Sequence, residues 1–323
     1  MSRRLTVIAP HEAGVSLVSW LAGRFTYHDS AGWEAELEDR RVLVDGEPAE
    51  GHMVLRRGMR VSYDPPAVPE PEVNREYRIV RENPDFLVVN KPPDLPVHPG
   101  GIYLHNTLQS MLSARYGTVY LISRLDRETS GLMLIARNAG SADYLYRQQR
   151  KRKILKEYLC LVHGDFPPFR DARGWLMKSE KSAVRKKRIF MEDPAAEDPG
   201  DAGSPGRSYC RTELFLESRK NGLSLLRCRL HTGKTHQIRA SLCSLGFPLV
   251  GDKIYGRDET LFLRFIKGEL TEEDQKCLLF PHQALFSARL SFCFSPSNIV
   301  VDVSAEPPFW TQSLFARPYS GSD

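Results

Sequence analysis

The sequence predicts an α+β protein of about two domains, on the strength of its length and of the order of its helix and strand signals. The chain has 323 residues, which is more than one small hydrophobic core organises. Segments typical of strands and of helices alternate without a regular strand–helix–strand rhythm, which disfavours a doubly wound parallel sheet. The composition, 41% hydrophobic and 26% charged, is that of an ordinary globular protein.

The first block, residues 1–63, combines a helix signal with a hairpin signal. Apolar residues recur at helical spacing over Val15–Phe25. Arg41–Val44 is typical of a short strand, and the Asp45-Gly46 pair behind it favours a tight hairpin turn. A linker is predicted over residues 64–77, because four prolines fall in its first nine residues and proline disrupts both helices and central strands.

The second block, residues 78–323, is rich in strand signals. Continuous or alternating apolar runs predict strands at Phe86–Val89, Leu132–Ala136, Tyr158–Val162 and Leu226–Leu230. Helical patterns are predicted over Ser141–Lys151 and over Thr235–Leu245, with Gly246 closing the second helix. The acidic segment from about 192 to 207 is rich in Pro, Gly and Ala, and we interpret it as a mobile loop between two strands.

Cysteine spacing and hydropathy exclude several classes of protein. The six cysteines include no CxxC pair, so a zinc ribbon or a thioredoxin-like redox site is disfavoured, and scattered cysteines fit a reducing compartment. The first residues lack a secretory signal, and no apolar run is long enough to span a membrane. We therefore expect a cytoplasmic protein without a membrane partner. A net charge of +5 permits an acidic partner without requiring one.

Two polar strand ends carry candidate site residues. Lys91 follows a buried run and precedes two prolines, so the segment presents a cation at a strand tip, although a solvated strand terminator is the alternative. Asp126 lies in a polar turn between two arginines, Arg124 and Arg127. Neighbouring positive charge keeps a partly buried carboxylate ionised, and such a group can act as nucleophile or base. The alternative for Asp126 is a structural turn that its side chain caps.

A basic segment, Arg147–Tyr158, contains six cations and one acid. Arg150, Lys151 and Lys153 within it are candidate phosphate contacts, against the alternative of a solvated helix face. Tyr158 begins the strand that follows, where an aromatic ring either joins the core or stacks on a base. A second basic run, Arg185–Arg188, adds positive charge.

The segment His231–Arg239 contains Gly-Lys-Thr but lacks the first glycine of a phosphate-binding loop, and its histidines do not have zinc-helix spacing. We interpret it as a polar turn that caps a helix at Thr235. Ile238 then faces the core. Arg239 projects beside the helix start, where a guanidinium can pair with a buried carboxylate, although a solvated arginine is the alternative.

Taken together and in this order, these segments resemble the RluA/RluD family of RNA pseudouridine synthases over about residues 78–295. The resemblance is carried by VNKPPDLPVHPG, SRLDRETSGLMLIAR, KEYLCLVHG, HTGKTHQIRASLCSLGFPLVGDKIYG and PHQALFSARLSF. It implies a mixed, mostly antiparallel catalytic sheet. The first block more loosely resembles the small α/β alpha-L RNA-binding motif. One position departs from the family pattern, because Ser123 stands where a histidine is usual.

The resemblance implies a role for each site residue. Asp126 corresponds to the catalytic carboxylate, which attacks either uracil C6 or the ribose, and the sequence leaves both routes open. Arg239 corresponds to the arginine that pairs with it, and Tyr158 to the tyrosine that stacks on the uracil and assists proton transfer. Arg124 corresponds to the residue that fills the space of the flipped base, and Ile238 packs against that base. Lys91 and the basic run contact the RNA.

The implied reaction converts uridine in RNA to pseudouridine and needs no metal or other cofactor. The partner is then structured RNA; the fused first block favours ribosomal RNA, with transfer RNA also possible. We expect a monomer. A non-catalytic RNA-binding or ribosome-assembly protein that retains the fold is the alternative. A zinc nucleobase deaminase is set aside, because its His-x-Glu and Pro-Cys-x-x-Cys signature is missing.

Overall fold

A computed structural model describes residues 4–25, 28–64, 66, 69–200, 206–295 and 298–314. The chain separates into two compact units, and the division falls between Glu70 and Pro71. This division lies inside the segment that the sequence predicts as a linker. Within the described residues, no helix combines the length and the apolar character that crossing a membrane requires.

The first unit is a four-stranded antiparallel sheet packed against two helices. Its elements are β1 (Arg4–Val7), α1 (Leu17–Arg24), α2 (Ser30–Glu38), β2 (Val42–Val44), β3 (Glu47–Pro48) and β4 (Arg60–Tyr63). The sheet order is β1-β4-β2-β3. The predicted hairpin is confirmed: Val44 pairs with Glu47, and Asp45 and Gly46 between them have φ values of 52° and 94°. Trp20 and Trp33 are buried at the centre of this unit's core.

The second unit has one large sheet with helices on its faces. Its first elements are β5 (Arg78–Glu82), β6 (Phe86–Lys91), α3 (Leu108–Tyr116), β7 (Tyr120–Leu121), β8 (Ser130–Ala136), α4 (Ala139–Arg150), β9 (Leu155–His163), β10 (Phe169–Lys178) and β11 (Arg188–Glu192). There follow β12 (Arg207–Lys220), β13 (Leu223–Leu230), α5 (Gln237–Ser244), α6 (Thr260–Lys267), α7 (Glu272–Leu278), β14 (Leu285–Phe294), β15 (Ile299–Ser304) and α8 (Phe309–Leu314).

The sheet runs in the order β11-β10-β12-β13-β9-β14-β8-β6-β5, with β15 paired to β14 and β7 paired to β8. Its named strand pairs are antiparallel except that between β14 and β8, which is parallel. The predicted α+β class with a mixed, mostly antiparallel sheet is therefore confirmed.

Side chains alternate between the two faces of the sheet along each strand, and a hydrophobic core covers each face. On β9, Tyr158 and Cys160 enter one hydrophobic core, which also contains Ile238. Leu159 and Leu161 enter the core on the other face. This explains why β9 is a continuous apolar run and not an alternating one.

The parallel junction between β8 and β14 requires glycine at position 131. Gly131 has φ 108° and pairs with Ser287, and a Cβ atom on it would lie 2.3 Å from the Ser287 carbonyl oxygen. Ser287 is in turn the partner of Tyr158 on β9. The close approach therefore brings the loop before β8 next to the strand that carries Tyr158.

The structure corrects one predicted helix start. Helix α5 begins at Gln237, and its N-cap residue is His236 in the left-handed region, with φ 58° and no side-chain cap. Thr235 is not the cap. Instead the Gln237 side-chain oxygen accepts hydrogen bonds from the Lys234 backbone N–H and the Thr232 hydroxyl, which closes the preceding turn.

Other expectations for irregular segments have mixed outcomes. Helix α2 was not predicted from the sequence, and Val54 forms only an isolated bridge with Ser16. The segment from about 192 to 207 does connect two strands, β11 and β12. Residues 201–205 lie outside the described residues, and the mobility of this loop stays a prediction.

Candidate active site

Asp126 lies in the turn between β7 and β8. Its carboxylate faces Arg239 on α5 and His236, the residue just before α5. Its Oδ2 accepts a hydrogen bond of 2.6 Å from Nη1 of Arg239, which is 113 residues further along the chain. Its Oδ1 is 3.7 Å from Nε2 of His236. The Asp126 side chain remains 29% exposed, so an external group can still reach it.

Arg239 is 5% exposed and is held by a second carboxylate, Asp252. The Arg239 Nε and Nη2 atoms donate to the two oxygens of Asp252 at 2.7 and 2.8 Å, the bidentate geometry that suits a planar guanidinium. Asp252 also accepts the backbone N–H groups of Ile254 and Tyr255 at 2.9 Å each. These contacts fix the guanidinium and leave Nη1 directed at Asp126.

This arrangement keeps Asp126 ionised. Burial alone would raise the pKa of Asp126, but the positive charge of Arg239 holds that pKa below its ordinary value. The same guanidinium outweighs the effect of burial on Asp252 and lowers the pKa of that carboxyl too. Arg239 therefore lies between two carboxylates, the fully buried Asp252 and the partly exposed Asp126.

His236 is a neutral imidazole whose tautomer follows from its hydrogen bonds. Burial and then the charge of Arg239 lower the pKa of His236 to about 4. Its Nδ1 is 2.9 Å from the Tyr255 hydroxyl oxygen, which already accepts the backbone N–H of Arg188. The buried hydroxyl hydrogen then points to Nδ1, and the ring proton resides on Nε2, the nitrogen that faces Asp126.

Tyr158 and Ile238 form part of the core behind the carboxylate. Tyr158 is 8% exposed and Ile238 is 4% exposed, so only a small part of each side chain is accessible. Burial raises the pKa of Tyr158 to about 12, and the negative charge of Asp126 acts in the same direction. The phenol is therefore protonated at neutral pH. The roles of both residues toward a base stay predictions.

The two arginines that flank Asp126 in sequence have other partners. Arg124 is exposed, and its Nη1 lies 3.2 Å from Nε2 of His98. Arg127 donates from Nε to Asp94 at 2.7 Å and from Nη1 to the Tyr103 hydroxyl at 2.6 Å. The guanidinium bonded to Asp126 therefore comes from Arg239 on α5, the residue that the family resemblance pairs with it, and not from the two arginines beside it in sequence.

The prediction for Lys91 is also corrected, because this residue is fully buried and is not a cation at an open strand tip. Its Nζ donates to the carbonyl oxygens of Pro92, Leu95 and Arg127 at 2.8, 2.9 and 3.0 Å. These three bonds use the donors of the ammonium group, so none is left for RNA. Burial lowers the pKa of Lys91 to about 7. Lys91 instead joins the end of β6 to the loop that carries Asp126.

Arg150, Lys151 and Lys153 are exposed at the end of α4 and in the turn before β9. The described contacts do not bring them to Asp126, and their binding of phosphate stays a prediction. Sequence reasoning missed the roles of His236, Asp252 and Tyr255. Asp252 and Tyr255 lie in the GDKIYG segment that contributes to the family resemblance, but no spacing pattern marks either of them.

Comparisons with known proteins find similar sequences and similar structures. Residues 85–244 match a family described as RNA pseudouridylate synthase. The ribosomal large subunit pseudouridine synthase D of Blochmanniella floridana is 30% identical over 276 residues, which cover 83% of this chain and 79% of that protein. The mitochondrial tRNA pseudouridine(32) synthase of Saccharomyces cerevisiae is 30% identical over 246 residues, covering 75% and 51%. Human pseudouridylate synthase RPUSD2 is 31% identical over 250 residues, covering 75% and 42%.

The chain spans about half the length of several of these relatives, including the yeast and human proteins. Among solved structures, human RNA pseudouridylate synthase domain containing 1 superposes with a TM-score of 0.57 at 24% identity, over 78% of this chain and 92% of that chain. Human RNA pseudouridylate synthase domain containing 4 superposes with a TM-score of 0.54 at 22% identity, over 72% of this chain and 89% of that chain. At this level of identity, the two structures support the fold alone.

Proposed function

The chain belongs to the RluA/RluD family of RNA pseudouridine synthases, and from this premise we propose that it isomerises specific uridines in structured RNA to pseudouridine, with Asp126 as the catalytic carboxylate. The observation that carries the proposal is the pairing of a partly exposed Asp126 with a buried Arg239 that Asp252 holds in place. An ionised, poorly hydrated carboxylate in a pocket is the group that a nucleophilic step on a nucleoside requires.

The isomerisation moves one bond and leaves the composition of the RNA unchanged. The bond between uracil N1 and ribose C1′ breaks, the uracil turns, and C5 bonds to C1′. C5 then loses its hydrogen as a proton, and N1 gains one, so no oxidant or reductant is required. The target base must first leave its stack, at a cost of a few kcal/mol that binding of the RNA backbone offsets.

The hydrogen bonds of Asp126 favour one of its oxygens as the reacting atom. Oδ2 accepts a short charge-assisted bond from Arg239, whereas Oδ1 lies 3.7 Å from the imidazole of His236. Oδ1 is therefore the more available oxygen for uracil C6 or for ribose C1′, and Arg239 stabilises the charge that remains on the carboxyl group. Both routes are compatible with this geometry.

The remaining residues have supporting roles in the proposal. Tyr158 contacts the flipped uracil and assists proton transfer at C5, where its hydroxyl passes on its own proton as it takes up the one from C5. Arg124, which is exposed, occupies the space that the base leaves in the RNA. Ile238 supports the base from the core side of the pocket. The RNA is ribosomal RNA or transfer RNA, since the names of the relatives include both. The resemblance of the first unit to an RNA-binding motif favours ribosomal RNA.

The first test is Asp126→Asn, assayed for tritium release from RNA that carries 5-tritiated uridine. We expect RNA affinity to remain within a few fold of wild type while pseudouridine formation is lost. Residual turnover above roughly a hundredth of wild type would argue against Asp126 as the nucleophile. If wild type binds RNA but releases no tritium from any ribosomal or transfer RNA, the non-catalytic RNA-binding alternative is favoured instead.

The target uridine is identified by mapping pseudouridine in total RNA from cells with and without the gene. We expect one or a few sites to disappear when the gene is deleted and to return with wild type but not with Asp126→Asn. Sites in ribosomal RNA would support the favoured substrate, and sites in transfer RNA would replace it with the second.

A further inference from the structure

His236 has one unused hydrogen-bond donor beside the proposed catalytic carboxylate. Its side chain is 8% exposed, and its Nε2 lies 3.7 Å from Oδ1 of Asp126, which is longer than a hydrogen bond. Among the residues that the structure describes, Nε2 has no hydrogen-bond partner. We propose that His236 is a further catalytic residue, whose Nε2–H donates to the O2 carbonyl oxygen of the target uracil. The inference rests on the proposed function for the identity of the base.

The backbone places the imidazole of His236 at the start of α5. His236 is the N-cap residue, with φ 58° and ψ 19°, in the left-handed region that few non-glycine residues adopt. Such a conformation persists only where the surrounding contacts impose it, and it is found most often at functional sites. Arg239, in the first turn of the helix, reaches the other oxygen of Asp126. The carboxylate therefore has a guanidinium at Oδ2 and an imidazole near Oδ1.

Tyr255 fixes the orientation of the imidazole and its tautomer. The fully buried Tyr255 ring contacts the imidazole edge to face, with ring centroids 5.5 Å apart and an angle of 85° between the planes. The Tyr255 hydroxyl accepts the backbone N–H of Arg188 and lies 2.9 Å from Nδ1 of His236. Its own hydrogen is therefore directed to Nδ1, which leaves the ring N–H on Nε2. The donor is held toward Asp126 and cannot turn away freely.

An uncharged imidazole is the form that this role requires. Burial, and then the charge of Arg239, lower the pKa of His236 to about 4, so the ring is neutral at pH 7. An imidazolium at the same place would pair with Asp126 and make its carboxylate a weaker nucleophile. A neutral N–H polarises a carbonyl group and leaves the carboxylate available, which is the role that neutral histidines have in active sites where a carbonyl oxygen gains charge.

The bond that breaks determines which uracil atom needs this donor. In both routes open to Asp126, the bond between N1 and C1′ breaks and its electron pair passes to the uracil, where N1 and the adjacent C2 carbonyl share the negative charge. O2 is the carbonyl oxygen next to that bond, whereas O4 lies across the ring. A hydrogen bond that strengthens as O2 gains charge lowers the barrier without transfer of the imidazole proton.

The charge on O2 disappears when the new bond forms. C5 of the uracil supplies the electron pair for its bond to C1′, then C5 loses its hydrogen as a proton and N1 gains one. His236 thus ends the reaction in the state in which it began it, and no oxidant or reductant is required. A residue with this role accelerates bond breaking and contributes little to the affinity for unreacted RNA.

The distances allow one nucleotide to contact both residues at once. An attacking oxygen approaches its carbon to about 3–3.5 Å before reaction. A donor stabilises a charged oxygen from about 2.7–3.1 Å. Because Oδ1 of Asp126 and Nε2 of His236 are 3.7 Å apart, C1′ or C6 can lie at the first atom while O2 lies at the second.

The first experiment compares His236→Phe with His236→Gln in the tritium-release assay. Phenylalanine retains a ring and removes the donor, whereas glutamine offers an amide N–H at about the position of Nε2. We expect His236→Phe to lower kcat about 100-fold with KM within about threefold of wild type, and His236→Gln to retain at least about a tenth of the wild-type kcat. Melting temperatures establish that both variants are folded.

The matched control is His231→Phe, at the other end of the same turn, where Nε2 of His231 lies 3.1 Å from Glu213. Its kcat should stay within about twofold of wild type. A folded His236→Phe enzyme with wild-type kcat would overturn the inference, and so would equal losses of kcat in His236→Phe and His236→Gln. If wild type itself releases tritium normally in that experiment, the proposed function stands even though the inference fails.

The second experiment replaces O2 of the target uridine with sulfur, a poorer acceptor. Rates of wild type and His236→Phe on uridine and 2-thiouridine RNA form a double-mutant cycle, in which other effects of the sulfur cancel. We expect the substitution to slow wild type more than His236→Phe, whereas 4-thiouridine should change both proteins by the same factor. A coupling to position 4, or no coupling to position 2, would overturn the assignment to O2.

The third experiment needs no turnover and uses protein with ¹⁵N-labelled histidines, in which His236→Gln identifies the resonances of His236. We expect wild type at pH 7 to show a neutral imidazole with its hydrogen on Nε2. In Asp126→Asn protein, which leaves the RNA unreacted, that hydrogen's resonance should shift on addition of a uridine oligonucleotide and shift less with 2-thiouridine. A charged ring, a hydrogen on Nδ1 or an unmoved resonance would overturn the inference, even for a protein that proves inactive.

Discussion

At the scale of single residues, the central feature is one guanidinium shared by two carboxylates. Arg239 is almost fully buried, and a buried cation is stable only when its charge and its donors are satisfied. Asp252 satisfies two of those donors and is itself held by backbone N–H groups, so the third contact, to Asp126, is directed by the other two. The partly exposed member of the group is the one available for chemistry.

The pH dependence of turnover separates the roles of the two partners of Asp126. With Asp126 as the proposed catalytic carboxylate, activity should require its ionised form and be lost as pH falls through its pKa, which burial and the negative charge of Asp252 raise and Arg239 lowers. Arg239→Gln should therefore shift the acid limb of the kcat profile to higher pH, because the positive charge that lowers the pKa of Asp126 is gone. Asp252→Asn should reduce kcat without an upward shift, because it removes an anchor and a negative charge together.

Both profiles are measured on protein whose melting temperature shows that it is folded. Arg239→Lys serves as the control that retains the charge while losing the fork, and its acid limb should lie between those of wild type and Arg239→Gln. An acid limb that stays in place in Arg239→Gln would mean that the guanidinium does not set the ionisation of Asp126.

At the scale of secondary-structure elements, the parallel pairing of β8 with β14 positions the site. The loop that carries Asp126 ends where β8 begins, and Gly131 at that point contacts the backbone of Ser287. The next strand, β9, presents Tyr158 opposite Ser287. Lys91 fixes the other side of the loop through the Arg127 carbonyl. Three strands and one buried ammonium group thus determine where the carboxylate lies.

Gly131→Ala should destabilise the second unit, because its Cβ would lie 2.3 Å from the Ser287 carbonyl oxygen and its φ of 108° disfavours a side chain. We expect a loss of at least about 2 kcal/mol in the free energy of unfolding, measured by urea denaturation. Gly117→Ala is the control, since Gly117 has a positive φ of 75° but open space around it. It should cost about 1 kcal/mol. Equal effects of the two substitutions would show that the close approach is not rigid.

At the scale of the whole molecule, charge is divided unevenly between the two units. Residues 1–70 contain 8 arginines, no lysine and 11 acidic residues, a net charge of −3, whereas residues 71–323 contain 37 basic and 29 acidic residues, a net charge of +8. RNA affinity depends strongly on the phosphate backbone and therefore on positive charge. The charge distribution assigns most of the electrostatic attraction for RNA to the second unit, despite the resemblance of the first unit to an RNA-binding motif.

Arg56→Gln with Arg57→Gln tests this assignment in the full chain. Both arginines are exposed in the first unit, next to the turn before β4. We expect the RNA dissociation constant to change by less than about twofold, because the unit carries net negative charge. The comparison is the Arg150→Gln, Lys151→Gln variant on the same RNA, which removes two exposed cations of the second unit. A tenfold loss on removal of Arg56 and Arg57 would show instead that the first unit contacts RNA directly.

The sequence alone determined the α+β class, the positions of β6, β8, β9 and β13, and the helix that became α4, because apolar periodicity and turn residues are local properties. It also singled out Asp126, Tyr158 and Arg239 through their resemblance to a family. Only the tertiary structure decided that Asp252 anchors the guanidinium of Arg239, that Arg124 and Arg127 have other partners, and that Lys91 is buried. The reason is physical: burial and charge pairing depend on which strands become neighbours, and sheet order joins residues that are far apart in the chain.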